Sequence, residues 1–158
     1  MKTDNFNPSR LAVLYYFGDL QYWKLPEVAV DALMNGYDGP ALRKLAGLNG
    51  VVESDLPVGE IDSVFREMGV AAPISKAEAT LTLASEAVKN VLAGDENVFD
   101  VATHIRIHLH GAESPTPELR RIAELSAEAS LAPRHRWSEL EKELTAAMSS
   151  FLTMRGTA

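Results

Sequence analysis

The chain has 158 residues, of which 46% are hydrophobic and 23% are charged, and its net charge is −7. This length fits one domain, and the composition is ordinary for a globular protein rather than a disordered one. The negative charge disfavours binding to nucleic acid or to anionic membranes, and the lack of cysteine excludes disulfides and thiolate chemistry.

The first twenty residues are not typical of a signal peptide, because the apolar run from Leu11 to Phe17 is short and Asp4 precedes it. No stretch reaches the roughly 20 apolar residues of a transmembrane helix. We therefore expect a bacterial cytoplasmic protein that binds neither nucleic acid nor membrane.

Prolines and glycines punctuate the sequence, with prolines favoured at the start of a helix and glycines just past its end. They predict helices at 8–23, 26–35, 40–46, 57–68, 75–93, 96–110, 117–130 and 138–154. Gly18 lies inside the first of these helices and can split it near Asp19. The predicted fold is all-α: a compact single-domain bundle of seven to eight helices over residues 1–158. Its motif-bearing part lies at 26–69 and its C-terminal helices at 75–154.

The segment THIRIHLH, residues 103–110, can be read as a strand, a metal site or a helical turn. Ile105, Ile107 and Leu109 alternate with polar residues, as in a strand, but no other segment alternates well enough to pair with it. A helical stripe passes through the segment at Val98, Val101, Ala102, Ile105 and Leu109. We therefore predict a helix that buries Ile105 and Leu109, with Ile107 on a second buried face.

Along one edge of that helix, Asp100, His104 and His108 follow one another at four-residue spacing. Two histidines at this spacing can share zinc or iron, and the carboxylate can complete the ligand set. The sequence lacks an H-E-x-x-H motif and a second Glu-x-x-His helix, so a polar helix edge is favoured. We expect no cofactor and no stoichiometric metal. The alternative is a metal- or anion-dependent enzyme, or a small-ligand binder, that uses this edge.

Basic residues are dense between 104 and 136, where they can form an anion site or pair with local carboxylates. The set comprises Arg106, His110, Arg120, Arg121, Arg134, His135 and Arg136. Pairing with carboxylates is the favoured interpretation.

Carboxylates are equally dense around the fourth predicted helix, at Glu53, Asp55, Glu60, Asp62 and Glu67. The apolar positions of this helix face inward, so we expect the acids to face solvent. They then serve either as a solubility feature or as a docking surface for a basic protein.

Six of the eleven aromatic residues precede residue 24. We expect most of them in the core and one or two at an interface, where tyrosine and tryptophan are over-represented.

Residues 29–48, AVDALMNGYDGPALRKLAGL, resemble a pattern of small, mostly uncharacterised helical bacterial proteins. The signature positions are Gly36, Tyr37, Asp38, Pro40 and Arg43, and Gly39 stands where the pattern usually has serine. The resemblance implies an all-α fold and supplies no catalytic residues. The residues themselves predict that Gly36 ends one helix, that Asp38 caps the next, and that Arg43 holds Asp38 or a helix end.

These observations predict a non-catalytic protein-binding module, comparable with the immunity and antitoxin proteins of bacterial conflict systems. The predicted partner is a basic protein that docks on the acidic stretch 53–67. No catalytic residue is predicted, and self-association is left open.

Overall fold

In a computed structural model of the chain, residues 5–48, 58–109 and 116–155 are described. These ranges contain eight α-helices and no strand, which confirms the predicted all-α fold. The helices are α1 (Pro8–Phe17), α2 (Leu25–Met34), α3 (Pro40–Ala46), α4 (Val58–Glu67), α5 (Lys76–Leu92), α6 (Val98–His104), α7 (Pro117–Leu131) and α8 (Trp137–Met154). Across the described ranges, no helix combines the length and the apolar character needed to cross a membrane.

The chain divides into two compact units, Met1–Ala79 (unit 1) and Thr80–Ala158 (unit 2). The boundary falls in the first turn of α5. The single domain expected over 1–158 stays a prediction.

Unit 1 has an apolar cluster to which α1, α2, α3 and α4 all contribute. Its buried members are Ala12, Leu25, Ala29, Ala32, Leu42, Leu45, Ile61, Val64, Phe65 and Met68. The last four recur at three- and four-residue spacing, so α4 turns its apolar face to the core, as predicted. Burying each of the larger side chains contributes about 1.5–3 kcal/mol, which makes this cluster the main support of unit 1.

Gly18 ends α1, so the continuous helix expected at 8–23 is wrong and the predicted split is correct. The residue has a φ of 110°, in the left-handed region that glycine adopts without a steric penalty. Its N–H donates to the carbonyls of Leu14 and Tyr15. The chain then turns through a 3-10 helix, Tyr22–Lys24, directly into α2.

The sequence predicted that Asp38 caps the start of α3, and this prediction is wrong. The cap comes instead from a distant part of the chain. Gly39 occupies the cap position and offers no side chain. The carboxylate of Glu67, at the end of α4, accepts hydrogen bonds from the backbone N–H groups of Ala41 at 3.0 Å and Leu42 at 2.8 Å. Glu67 therefore ties α3 to α4 and satisfies two otherwise unpaired donors.

In unit 2, α6 continues through a π-helical turn, Ile105–Leu109, so residues 103–109 are helical as predicted. Residue 110 lies outside the described residues. Ile105 is 0% exposed and Leu109 is 1% exposed, which confirms the predicted stripe. Ile107 is 58% exposed, so the predicted second buried face is wrong. The packing of α6 and the π-turn against α7 uses the stripe, and Ile107 lies opposite it.

In unit 2, α7 and α8 pack against each other and against α6. Their fully buried side chains are Leu119, Ile122, Leu125, Leu140, Leu144, Met148 and Phe151. These residues recur every three or four positions, so each helix presents one apolar stripe to the core.

Candidate functional site

Unit 1 contains an open cleft of about 520 Å³ between the end of α1 and the middle of α4. Three tyrosines and one carboxylate dominate its lining. We call it the tyrosine cleft, and its residues are Tyr15, Tyr16, Gly18, Leu20, Gln21, Tyr22 and Asp62.

The local sequence explains how these side chains come together. Tyr15 and Tyr16 occupy the last full turn of α1, and their rings lie 5.7 and 5.8 Å from the ring of Phe65 in the core. Gly18 then reverses the chain and brings Tyr22 to the same opening. The rings of Tyr15 and Tyr16 are thus held in place by the core, while Tyr22, which is 39% exposed, forms the outer edge of the cleft.

Tyr16 and Asp62 form the polar centre of the cleft. The Tyr16 hydroxyl donates to Oδ1 of Asp62 across 46 residues of sequence. Burial, followed by this hydrogen bond and the Asp62 charge, raises the pKa of Tyr16 above its ordinary value of 10.0. Burial, with the same charge, also raises the pKa of Tyr15. Both phenols therefore stay neutral near pH 7 and act as hydrogen-bond donors and apolar walls, not as bases or nucleophiles.

Within residues 5–48, 58–109 and 116–155, only one carboxylate oxygen of Asp62 has a hydrogen-bond partner, so the other can bind a further group. Among the described residues no cation forms an ion pair with Asp62. Arg66, one turn along α4, acts on Tyr16 through its charge, but its Nε donates to the carbonyl of Ala72 at 3.0 Å. The cleft consequently offers a half-buried negative charge surrounded by aromatic rings.

The other described carboxylates of the predicted acidic surface have structural partners. Glu60 pairs with Lys44, and Glu67 caps α3 as described above. Glu53 and Asp55 lie outside the described residues. The acids of α4 were expected to face solvent, but Glu60, Asp62 and Glu67 are all half-buried and each contacts another element of unit 1.

The motif residues make local structural contacts within unit 1. Gly36 has a φ of 94° and follows the end of α2, as predicted. The Arg43 guanidinium binds both carboxylate oxygens of Asp38, with Nε 2.7 Å from Oδ1, which confirms one of the two partners predicted for it. This contact lowers the pKa of Asp38. Tyr37 packs its ring against that of Phe6 at 5.9 Å, and Pro40 begins α3.

In unit 2, His104 and His108 have neighbouring rings, with centroids 5.0 Å apart, at an exposed edge of α6 and its π-turn. Asp100 is also exposed. Over the described residues, no three histidine, aspartate or glutamate side chains are grouped closely enough to hold a metal ion. The enzyme or ligand-binding alternative at this edge stays a prediction.

The predicted basic residues have separate local contacts. Arg106 donates to the hydroxyl of Ser126, Arg136 pairs with Glu128 at 3.2 Å, and Arg134 lies over the ring of Trp137. Three others, Arg120, Arg121 and His135, are exposed, and His110 lies outside the described residues.

The chain matches no protein-family model, no curated protein and no solved structure. The resemblance carried by residues 29–48 accordingly stays a prediction.

Sequence reasoning selected Asp62 but not the tyrosines that surround it. The available signal was the concentration of aromatic residues before residue 24, which predicted one or two at an interface. Periodicity alone did not indicate that Tyr16 and Asp62 meet, because this contact joins two helices far apart in sequence.

Proposed function

We propose that unit 1 is a non-catalytic protein-binding module that receives a lysine or arginine side chain of a basic partner in the tyrosine cleft. The observation that carries the proposal is the Asp62 carboxylate, half-buried among Tyr15, Tyr16 and Tyr22, with no paired cation among the described residues. The cation would meet a carboxylate and the faces of aromatic rings in one place.

Physical chemistry favours this occupant. A cation over an aromatic face gains about 0.5–1 kcal/mol at an exposed site and about 2 kcal/mol when desolvated. An ion pair with Asp62 is stronger in a half-buried cleft than in water because the effective dielectric constant is lower. Neutral tyrosines supply these contacts without competing for the cation's charge.

The surroundings of the cleft are also suited to a protein partner. Trp23 is 51% exposed and packs edge-on against Tyr22, with ring centroids 5.3 Å apart. Exposed tyrosine and tryptophan next to a charged anchor are typical of interface hot spots. The net charge of −7 would speed association with a basic protein.

An acidic cytoplasmic protein that neutralises a basic one, as immunity and antitoxin proteins do, is the form of this function that we favour. In this proposal Asp62 replaces the whole acidic stretch as the contact point. Glu60 and Glu67 have structural partners, so they contribute mainly to the surrounding field.

The direct test uses a minimal probe. Isotopically labelled full-length protein is titrated with N-acetyl-arginine methylamide and, as the uncharged comparison, with N-acetyl-norleucine methylamide. We expect NMR shift changes at Gly18, Gln21 and Tyr22 with a millimolar dissociation constant for the arginine probe, and none for norleucine.

Two substitutions on α4 form a matched pair. Asp62→Asn keeps the hydrogen-bond acceptor for Tyr16 but removes the charge. It should therefore weaken binding of the arginine probe at least about 10-fold, which equals 1.4 kcal/mol. Glu60→Gln removes an equal charge two residues away and should leave binding nearly unchanged. Equal effects of the two variants, or equal binding of the two probes, would refute the proposal.

A further inference from the structure

A second pocket, of about 220 Å³, lies within unit 2 between α6, α7 and the start of α8. We call it the Trp137 pocket, and it is lined by Phe99, Thr103, Ser126, Ala129, Ser130 and Trp137. Two aromatic rings, 6.1 Å apart between centroids, form walls, and three hydroxyl-bearing residues provide polar points.

One wall of this pocket carries a buried hydroxyl held by a cation. Ser126 is 3% exposed, and its Oγ accepts a hydrogen bond of 3.1 Å from Nε of Arg106. Arg106 is half-buried, and its terminal nitrogens contact no carboxylate in the part of the chain that the structure describes. A partly buried guanidinium without an acidic partner favours an anion, because its charge is otherwise uncompensated.

The backbone at Arg106 supports the same conclusion. This residue lies in the π-helical turn Ile105–Leu109, and such turns recur at functional sites because they reposition side chains relative to a regular helix. Here the widened turn still buries Ile105 and Leu109 on the core side. The Arg106 side chain lies at the edge next to Ser126.

From these features we infer that the Trp137 pocket binds a small aromatic carboxylate. The ring packs against Phe99 and Trp137, and the carboxylate accepts from the Ser126 hydroxyl, which the Arg106 guanidinium contacts. The volume admits one or two rings and is below the 300–1,000 Å³ or so of pockets for larger ligands. Thr103 and Ser130 already donate their hydroxyls to the carbonyls of Phe99 and Ala127, which leaves the Ser126 hydroxyl as the polar group available to the ligand.

The Trp137 indole supplies the readout. In a Trp23→Phe background Trp137 is the only tryptophan, so its fluorescence reports on the pocket alone. Phenylacetate is the probe, and phenylacetamide is its neutral isostere. We expect saturable quenching by phenylacetate with an affinity at least about 10-fold higher than for phenylacetamide, the typical effect of a charged hydrogen bond.

Two variants test the two halves of the site. Arg106→Gln should bring phenylacetate to the affinity of phenylacetamide, whereas Arg120→Gln, an exposed arginine on α7, should change neither. Ala129→Leu fills the pocket and should abolish binding of both compounds even if Arg106→Gln perturbs folding. Absence of saturable quenching in the parent protein, equal affinities for the two compounds, or full retention of binding in Ala129→Leu would each overturn the inference.

Discussion

The carboxylate of Glu67 accepts a hydrogen bond of 2.8 Å from the backbone N–H of Leu42, so the end of α4 closes the beginning of α3. A second bond, from Ala41, occupies the other carboxylate oxygen. This arrangement gives α3 the cap that its own sequence lacks, since Gly39 at the cap position has no side chain.

Glu67→Ala is expected to lower the free energy of unfolding by about 1–2 kcal/mol, because it leaves two N–H groups without acceptors. Glu60→Ala, which removes a partly exposed ion pair on the same helix, should cost less than about 0.5 kcal/mol. Urea unfolding in a Trp137→Phe background, followed through Trp23, measures both. Equal losses would mean that Glu67 acts only through its charge.

The effect of Gly39→Ser on the free energy of unfolding is expected to change sign with the residue at position 67. A Cβ at Gly39 would lie 2.3 Å from Cδ of Glu67, so serine displaces the carboxylate and destabilises the parent protein. In the Glu67→Ala background its hydroxyl can cap the same N–H groups and should recover about 0.5–1 kcal/mol. A double-mutant cycle gives the coupling, and purely additive effects would contradict this account.

Residues 29–48 resemble a motif that usually has serine at this position. Glycine here is compatible with the motif because another helix supplies the cap.

Ile105→Ala should cost about 2–4 kcal/mol, the usual effect of deleting a fully buried isoleucine side chain. Ile107→Ala is the matched control, because the same change two residues away removes a side chain that is 58% exposed. We expect it to stay within about 0.5 kcal/mol. Unfolding followed through Trp137 in a Trp23→Phe background reports on unit 2. Similar costs at the two positions would argue against the single buried face.

Tyr16 should make the stability of unit 1 depend on alkaline pH. Since its pKa in the folded protein is raised above 10.0, its stabilising contribution is complete below pH 10 and is lost as the pH rises further. The stability advantage over Tyr16→Phe should therefore shrink above pH 10. Asp62→Asn should lower the Tyr16 pKa only part of the way, because burial is its largest cause. Absorbance titration of tyrosinate checks both, and titration of Tyr16 at or below pH 10 would contradict the assignment.

The fold was predictable where its signals are local. Gly18 and Gly36 end helices through their own backbone conformations, and Pro40 begins one, so each can be recognised without its neighbours. The stripe through Ile105 and Leu109 follows from helical spacing alone.

Other features depend on which elements meet. Ile107 is as apolar as Ile105, and only the packing of α6 and its π-turn against α7 decides that one is buried and the other exposed. The cap by Glu67 and the bond from Tyr16 to Asp62 join residues 25 and 46 positions apart. Such contacts were not predictable from spacing within a helix.

The separation in sequence between Glu67 and α3 also affects the order in which unit 1 folds during synthesis. The segment of α3 is synthesised before Glu67, because 25 residues separate Leu42 from Glu67. A seven-residue helix is marginal by itself, since nucleation costs more than so few hydrogen bonds return. The nascent α3 therefore remains unformed until α4 has been translated, and unit 1 acquires its motif helix only as a late step.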